Sequence, residues 1–127
     1  MRGNVVFCDD VRVEASGKHI LVGVYPNGLA FTGGFPALIR IVVWLQMADL
    51  PGGKHNVDFF LRGPGSSDND VHHGGEVDIT APWLPLTFSM GPFDVPVPAS
   101  GDIVAFISID GGPLEKIGAL NVAPPLR

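Results

Sequence analysis

Apolar and polar residues alternate with a period of two through most of this chain, and that decides the class of fold before any other feature does. Ala37 to Met47 is the strongest case, with Ile39, Ile41, Val43, Leu45 and Met47 on one side of an extended backbone. Asn4 to Glu14 sets Val5, Phe7, Val11 and Val13 on one face. After the turn Ala15-Ser16-Gly17-Lys18, His19 to Tyr25 returns with Ile20, Val22 and Val24, which makes a hairpin. The same alternation carries Val57, Phe59 and Leu61, then Val77, Ile79 and Ala81, then Leu84, Leu86, Phe88 and Met90, and finally Asp102 to Asp110. Helical spacing is nearly absent. Pro113 to Leu120 is its one candidate, with Pro at the first helical position. Gly118 argues against it, and a last strand over Leu114–Val122 is the preferred reading.

Between the runs stand turn signals, drawn from 17 glycines and 12 prolines. Pro26-Asn27-Gly28 and Gly33-Gly34 enclose a short piece around Leu29-Ala30-Phe31, Pro51-Gly52-Gly53 is a turn, and Gly111-Gly112-Pro113 ends a strand. Pro92, Pro96 and Pro98 cannot donate to a ladder, so their segment reads as an edge strand or as irregular chain. The Gly, Pro, Ser, Asp, Asn and His stretch from Gly63 to Gly75 reads as a loop. With no repeat and no linker, the expectation is one domain over residues 1–127. Its fold class is all-β, an antiparallel β-sandwich, Ig-like or C2-like, of seven to nine strands.

Hydrophobic residues at 46% against 17% charged describe a folded chain, the opposite of a disordered one. A single Cys excludes an internal disulfide and any multi-Cys zinc site. A net charge of −5 argues against nucleic acid and against an anionic membrane as partner. The opening residues lack a secretory apolar region, and the longest apolar run, Ile41 to Leu45, falls far short of the ~20 residues of a membrane span. Cytoplasmic synthesis is expected, which is compatible with later assembly into a virion.

Three strands carry apolar residues on both faces, against the usual pattern of an antiparallel sandwich. Ala37–Met47 adds Leu38, Val42 and Trp44, Asp102–Asp110 adds Val104 and Phe106, and Val57–Arg62 adds Phe60. Either a long loop covers this second face, for which Pro26–Pro36 with Leu29, Phe31 and Phe35 is the candidate, or the face meets a protein chain. The partner would be another protein or a second copy, as in a homo-oligomer.

Residues of catalytic or metal-binding type are few. Asp68 and Asp70 offer hard oxygen ligands and His72 and His73 offer imidazoles, the weak metal candidates of the chain. His72 and His73 stand where a calcium loop needs an acid and a Gly, and adjacent residues of an extended chain point to opposite sides. Asp9, in strict register, faces inward and requires a partner such as Arg12, Arg40 or Arg62, unless a bulge at Cys8-Asp9 turns it outward. Cys8 lies beside two acids and reads as a buried, inert thiol. No nucleophile elbow and no phosphate-binding Gly-rich loop occurs. No cofactor and no enzymatic activity are expected.

The segment Val6-Phe7-Cys8-Asp9-Asp10-Val11-Arg12, followed by Gly17-Lys18 and Val22-Gly23-Val24-Tyr25, resembles a family of small uncharacterised proteins of bacteria and their phages. Phe59-Phe60-Leu61-Arg62-Gly63-Pro64-Gly65 and Gly101-Asp102 fit the same pattern. The resemblance implies a single β-sandwich of unassigned function and supplies no catalytic residues. The leading functional expectation is therefore a non-enzymatic structural or interaction module that associates through an apolar sheet face, such as a phage-derived virion component. The alternative is a small ligand- or metal-binding domain using the 63–75 loop.

Overall fold

The computed structural model describes residues 1–26, 28–65 and 70–124. Among them no residue is helical, and ten strands follow in order: β1 Arg2–Cys8, β2 Asp10–Val13, β3 His19–Val22, β4 Gly28–Ala30, β5 Ala37–Ala48, β6 Gly53–Arg62, β7 Val71–Ile79, β8 Leu86–Val97, β9 Gly101–Ile109 and β10 Glu115–Ala123. The alternation of β5 works as expected. Ile39, Ile41, Val43, Leu45 and Met47 are all buried, and they meet Phe59, Leu61, Ile103, Ile107, Leu120 and Val122 from the opposite layer in one core. Burial of aliphatic and aromatic side chains, at about 1.5–3 kcal/mol each, is the term that holds the layers together.

One layer has the order β1-β5-β8, the other β4-β10-β9-β6-β7, and β2-β3 is a separate hairpin. Leaving out β2–β4, the order is that of an Ig-like sandwich, A-B-E against G-F-C with a C′ strand beside C. The prolines of β8 fit its position, because among the described residues it pairs only with β5, which leaves its other side unpaired. Glu115–Ala123 pairs with β9, so this segment is strand and not helix. At Gly118 an added Cβ would run into Val5 of β1, so the same residue that disfavours a helix lets β1 and β10 close against each other.

Three differences from the sequence reading have physical causes. The strand count is ten, above seven to nine, because the first strand is broken at Asp9 and Gly28–Ala30 pairs in its own right, parallel to β10. Residues 28–36 do not cover a sheet face. Leu29, Phe31 and Phe35 pack against the core at the end of the five-stranded layer, and Phe31 N–H donates to Ala123 C=O at 2.9 Å. The loop read from Gly63 to Gly75 is shorter, since β7 begins at Val71 and pairs with β6 without a register shift through Ile79.

The break at Asp9 shapes the N-terminal third. Its N–H bonds to Val22 C=O at 2.9 Å, and its carboxylate accepts the Tyr25 hydroxyl at 2.6 Å, while Tyr25 N–H donates to Phe7 C=O at 2.9 Å. Asp9 is therefore exposed and satisfied by Tyr25, and none of Arg12, Arg40 and Arg62 is its partner. That hydrogen bond pushes the Tyr25 hydroxyl up to about 12. Gly23 follows with φ at 67°, where an added Cβ would collide with the Asp9 carboxylate. Gly23→Ala should cost roughly 1–3 kcal/mol through the strained φ and this collision, and Tyr25→Phe about 1 kcal/mol. Urea denaturation of the two variants checks both values.

Candidate functional site

The six residues expected on one apolar face lie on two. Leu38, Val42 and Trp44 belong to β5, in the three-stranded layer, whereas Phe60, Val104 and Phe106 belong to β6 and β9, in the five-stranded layer. All six alternate with core residues of their strands, so the two sets look outward on opposite sides of the sandwich. Of the six, Leu38 alone is strongly exposed, at 68%.

On the three-stranded side the cover is the β2–β3 hairpin. His19 lies over β5, and its Nδ1 accepts the Trp44 indole N–H at 3.0 Å. Val11 and Leu21, paired across the hairpin, share the His19 face and are half-buried. Beneath them Val42 is 8% exposed, and Cys8, its cross-strand partner, is fully buried. The Cys8 thiol donates to Val42 C=O at 3.6 Å, and burial pushes its pKa up, so it stays protonated at neutral pH.

On the five-stranded side, polar groups roof the aromatics. Lys116, Phe106, Phe60 and His72 stand opposite one another across β10, β9, β6 and β7. The His72 ring stacks on Phe60 with centroids 4.6 Å apart, and its Nε2 bonds to Asp58 at 2.8 Å. The Arg62 guanidinium lies 4.8 Å from the centroid of Phe106 and forms a two-point pair with Asp70, at 2.9 and 2.8 Å. Phe60, Val104 and Phe106 are consequently half-buried.

The metal candidates are separated by this arrangement. Asp70 is held by Arg62 and His72 by Phe60 and Asp58, while His73 turns to the other side of β7, its ring 6.3 Å from that of Phe93. Asp68 lies outside the described residues. Among the described residues no three His, Cys, Asp or Glu side chains come together as a metal site, and no helix is long and apolar enough to cross a membrane.

The loops β5–β6, β7–β8 and β9–β10 meet at one end of the sandwich, and this end carries what the sequence reading missed. Trp83 is 77% exposed and Leu84 58%, framed by Pro82 and Pro85 in a turn closed by Leu84 N–H to Ala81 C=O at 3.0 Å. Leu114, 45% exposed, stands in the β9–β10 connection. Two prolines around a Trp-Leu pair already argue against a strand bonded on both sides there. That signal was in the sequence, but alternation from Leu84 onward masked it. Next to this end, Pro85, Leu86 and Thr87 face Gly17, Lys18 and His19 of the hairpin across a shallow cleft of about 600 Å³ with Trp44 on its floor.

His55 fastens the loop end. Its Nδ1 meets Asp110 at 2.7 Å and its Nε2 meets Pro51 C=O at 2.8 Å, and Asp110, at φ 52°, also accepts Asn56 N–H at 2.8 Å. Both ring nitrogens face acceptors, so the imidazolium is favoured. The Asp110 hydrogen bond raises His55 and, reciprocally, His55 lowers Asp110. The His55 contribution is complete below about pH 6.5 and is lost as pH rises through its raised pKa. That of Asp110 is present above about pH 4 and is lost as pH falls through its lowered one. Calorimetry should show maximal thermal stability between about pH 4 and 6.5, with a decline on the alkaline side that His55→Gln removes.

In comparisons with known proteins, no family model matches this chain, and no curated protein gives a significant match.

Proposed function

We propose that this chain is a non-enzymatic interaction module that docks another protein chain through its β5–β6, β7–β8 and β9–β10 loop end. The observation that carries the reading is the exposed Trp83–Leu84 pair, set between prolines at the end of the sandwich where Leu114 is also exposed. Trp is the residue type most enriched among energetically dominant interface positions, and an order-restricting Pro on each side lowers the entropy lost on docking. His55, Asp110 and Pro51 tie the β5–β6 and β9–β10 loops, the latter carrying Leu114, to each other. Net charge −5 favours a protein surface over an anionic membrane for this apolar tip. The sheet faces, where association was expected, are largely occupied by the hairpin and by Arg62 and His72. A component of a phage-derived particle is the form this role takes under the resemblance of residues 6–25.

A photo-crosslinking amino acid at Leu84, introduced into the chain in its producing cell, tests the reading. A discrete adduct is expected at Leu84, absent with the same probe at Leu38 and lost on adding Trp83→Ser. Trp83→Ser should itself change stability by no more than about 0.5 kcal/mol, as for an exposed residue. Equal labelling at Leu84 and Leu38, or none at either, would contradict the proposal.

A further inference from the structure

The two layers have edges of unequal character. β1 is closed off by β10, where Gly3 and Gly118 allow contact with Ile117 and Val5. β4 has only three residues. β8 carries Pro92 and Pro96 and a register shift opposite Ile41–Val43, devices that blunt an edge. β7 has none of these. Its nine residues contain no Pro, Lys or Arg, and they pair with β6 without a shift.

The backbone groups of β7 that find no partner among the described residues can be identified. Asn56 of β6 turns toward β9, since its C=O accepts Asp110 N–H and its N–H donates to the Asp110 carboxylate. In an antiparallel ladder, alternate residues bond to alternate sides. Val57, Phe59 and Leu61 therefore bond to β7, and the N–H and C=O groups of His72, Gly74, Glu76 and Asp78 point away from the sheet. The side chains of His72, Glu76 and Asp78 share the outer face with Phe60. His72 stands at one end of the row and Glu76 and Asp78 at the other, so an antiparallel second copy sets each imidazole against the carboxylate end of the other strand.

We propose that β7 pairs with β7 of a second copy across a two-fold axis, joining two five-stranded layers into one continuous sheet. The register that uses all four free residues sets Gly75 opposite Gly75, Gly74 opposite Glu76 and His72 opposite Asp78 of the second copy. It makes eight backbone hydrogen bonds, from eight unpaired groups on each copy. Alongside β7, between the layers, a cleft of about 230 Å³ opens onto Leu45, Phe59, Phe88 and Met90, and the second copy closes over it. This surface is separate from the Trp83–Leu84 end and stands without the docking role proposed there.

Light scattering on size-exclusion fractions over roughly a hundredfold concentration range reads the assembly. A mass rising to that of the dimer is expected, with Glu76→Pro weakening the association by more than about tenfold. Pro at that position takes no bond from the β6–β7 ladder, because the Glu76 N–H points outward. Gly75→Cys supplies the second test. An added Cβ there meets nothing within 4 Å, the facing Cα atoms of such a pair stand about 4.5 Å apart, and that spacing suits a disulfide. Oxidation should give a covalent dimer, with buried Cys8 taking no part. A monomer at every concentration with no cross-link, or a dimer indifferent to Glu76→Pro, would overturn the proposal. A dimer sensitive to Glu76→Pro that fails to cross-link through Gly75→Cys would overturn the register. Neither result bears on cross-linking at Leu84, so the two proposals fail separately.

Discussion

The Tyr25 hydroxyl and the Asp9 carboxylate, 2.6 Å apart, hold the point at which the N-terminal chain leaves the three-stranded layer. β1 pairs with β5 as far as Cys8 and then turns away, and the chain returns at Tyr25, whose N–H bonds to Phe7 C=O. Everything between those residues is a hairpin inserted into what would otherwise be one strand, and the next strand, β4, lies in the other layer, where it joins β10. An N-terminal strand divided between two sheets needs a sharp, satisfied corner. Asp9, Gly23 and Tyr25 supply it, with a positive φ at Gly23 and acceptors for the donors that the corner exposes.

That corner decides what happens to the outer faces. A two-stranded hairpin is marginal by itself in water, so β2–β3 depends on β5, and Val42 and Trp44 on the outer face of β5 depend on the hairpin for their cover. The Trp44–His19 hydrogen bond orients the contact, but a bond of that kind is worth only about 1 kcal/mol net. Burial of Val42, Cys8 and the inner hairpin face contributes more. On the opposite side the solution differs. Phe60 and Phe106 keep their place in the sheet and receive a polar roof from neighbouring strands. A chain that screens most of both sheet faces in this way leaves open the loop end and the β7 edge, besides Leu38 and the hairpin's own Val13, Ile20 and Val22.

Much of this was legible in the sequence, for identifiable reasons. The inward set of β5 follows from period two alone, and Pro92 and Pro96 mark an edge strand because they lack a donor. Cys8 was readable as a buried thiol and the divergence of His72 from His73 as a property of extended chain. Parity tells which face of a strand a residue occupies and not which layer the strand joins, so Trp44 and Phe106 looked like neighbours. The corner at Asp9 depends on a tyrosine sixteen positions later, beyond the reach of local rules. His72–Gly75 read as loop because Gly and His are poor strand formers, and only the stack on Phe60 and the ladder to β6 override that preference.

The central claim is that the chain covers its own sheet faces and leaves the Trp83 end open. Its two tryptophans stand on either side of that claim. Acrylamide quenching of Trp83→Phe and Trp44→Phe reads each indole by itself. Trp44 should be weakly quenched and emit to the blue, and Trp83 should be quenched nearly as well as a free indole. Equal, strong quenching of both would mean that the hairpin does not cover β5, and the assignment of the open surfaces would fall with it.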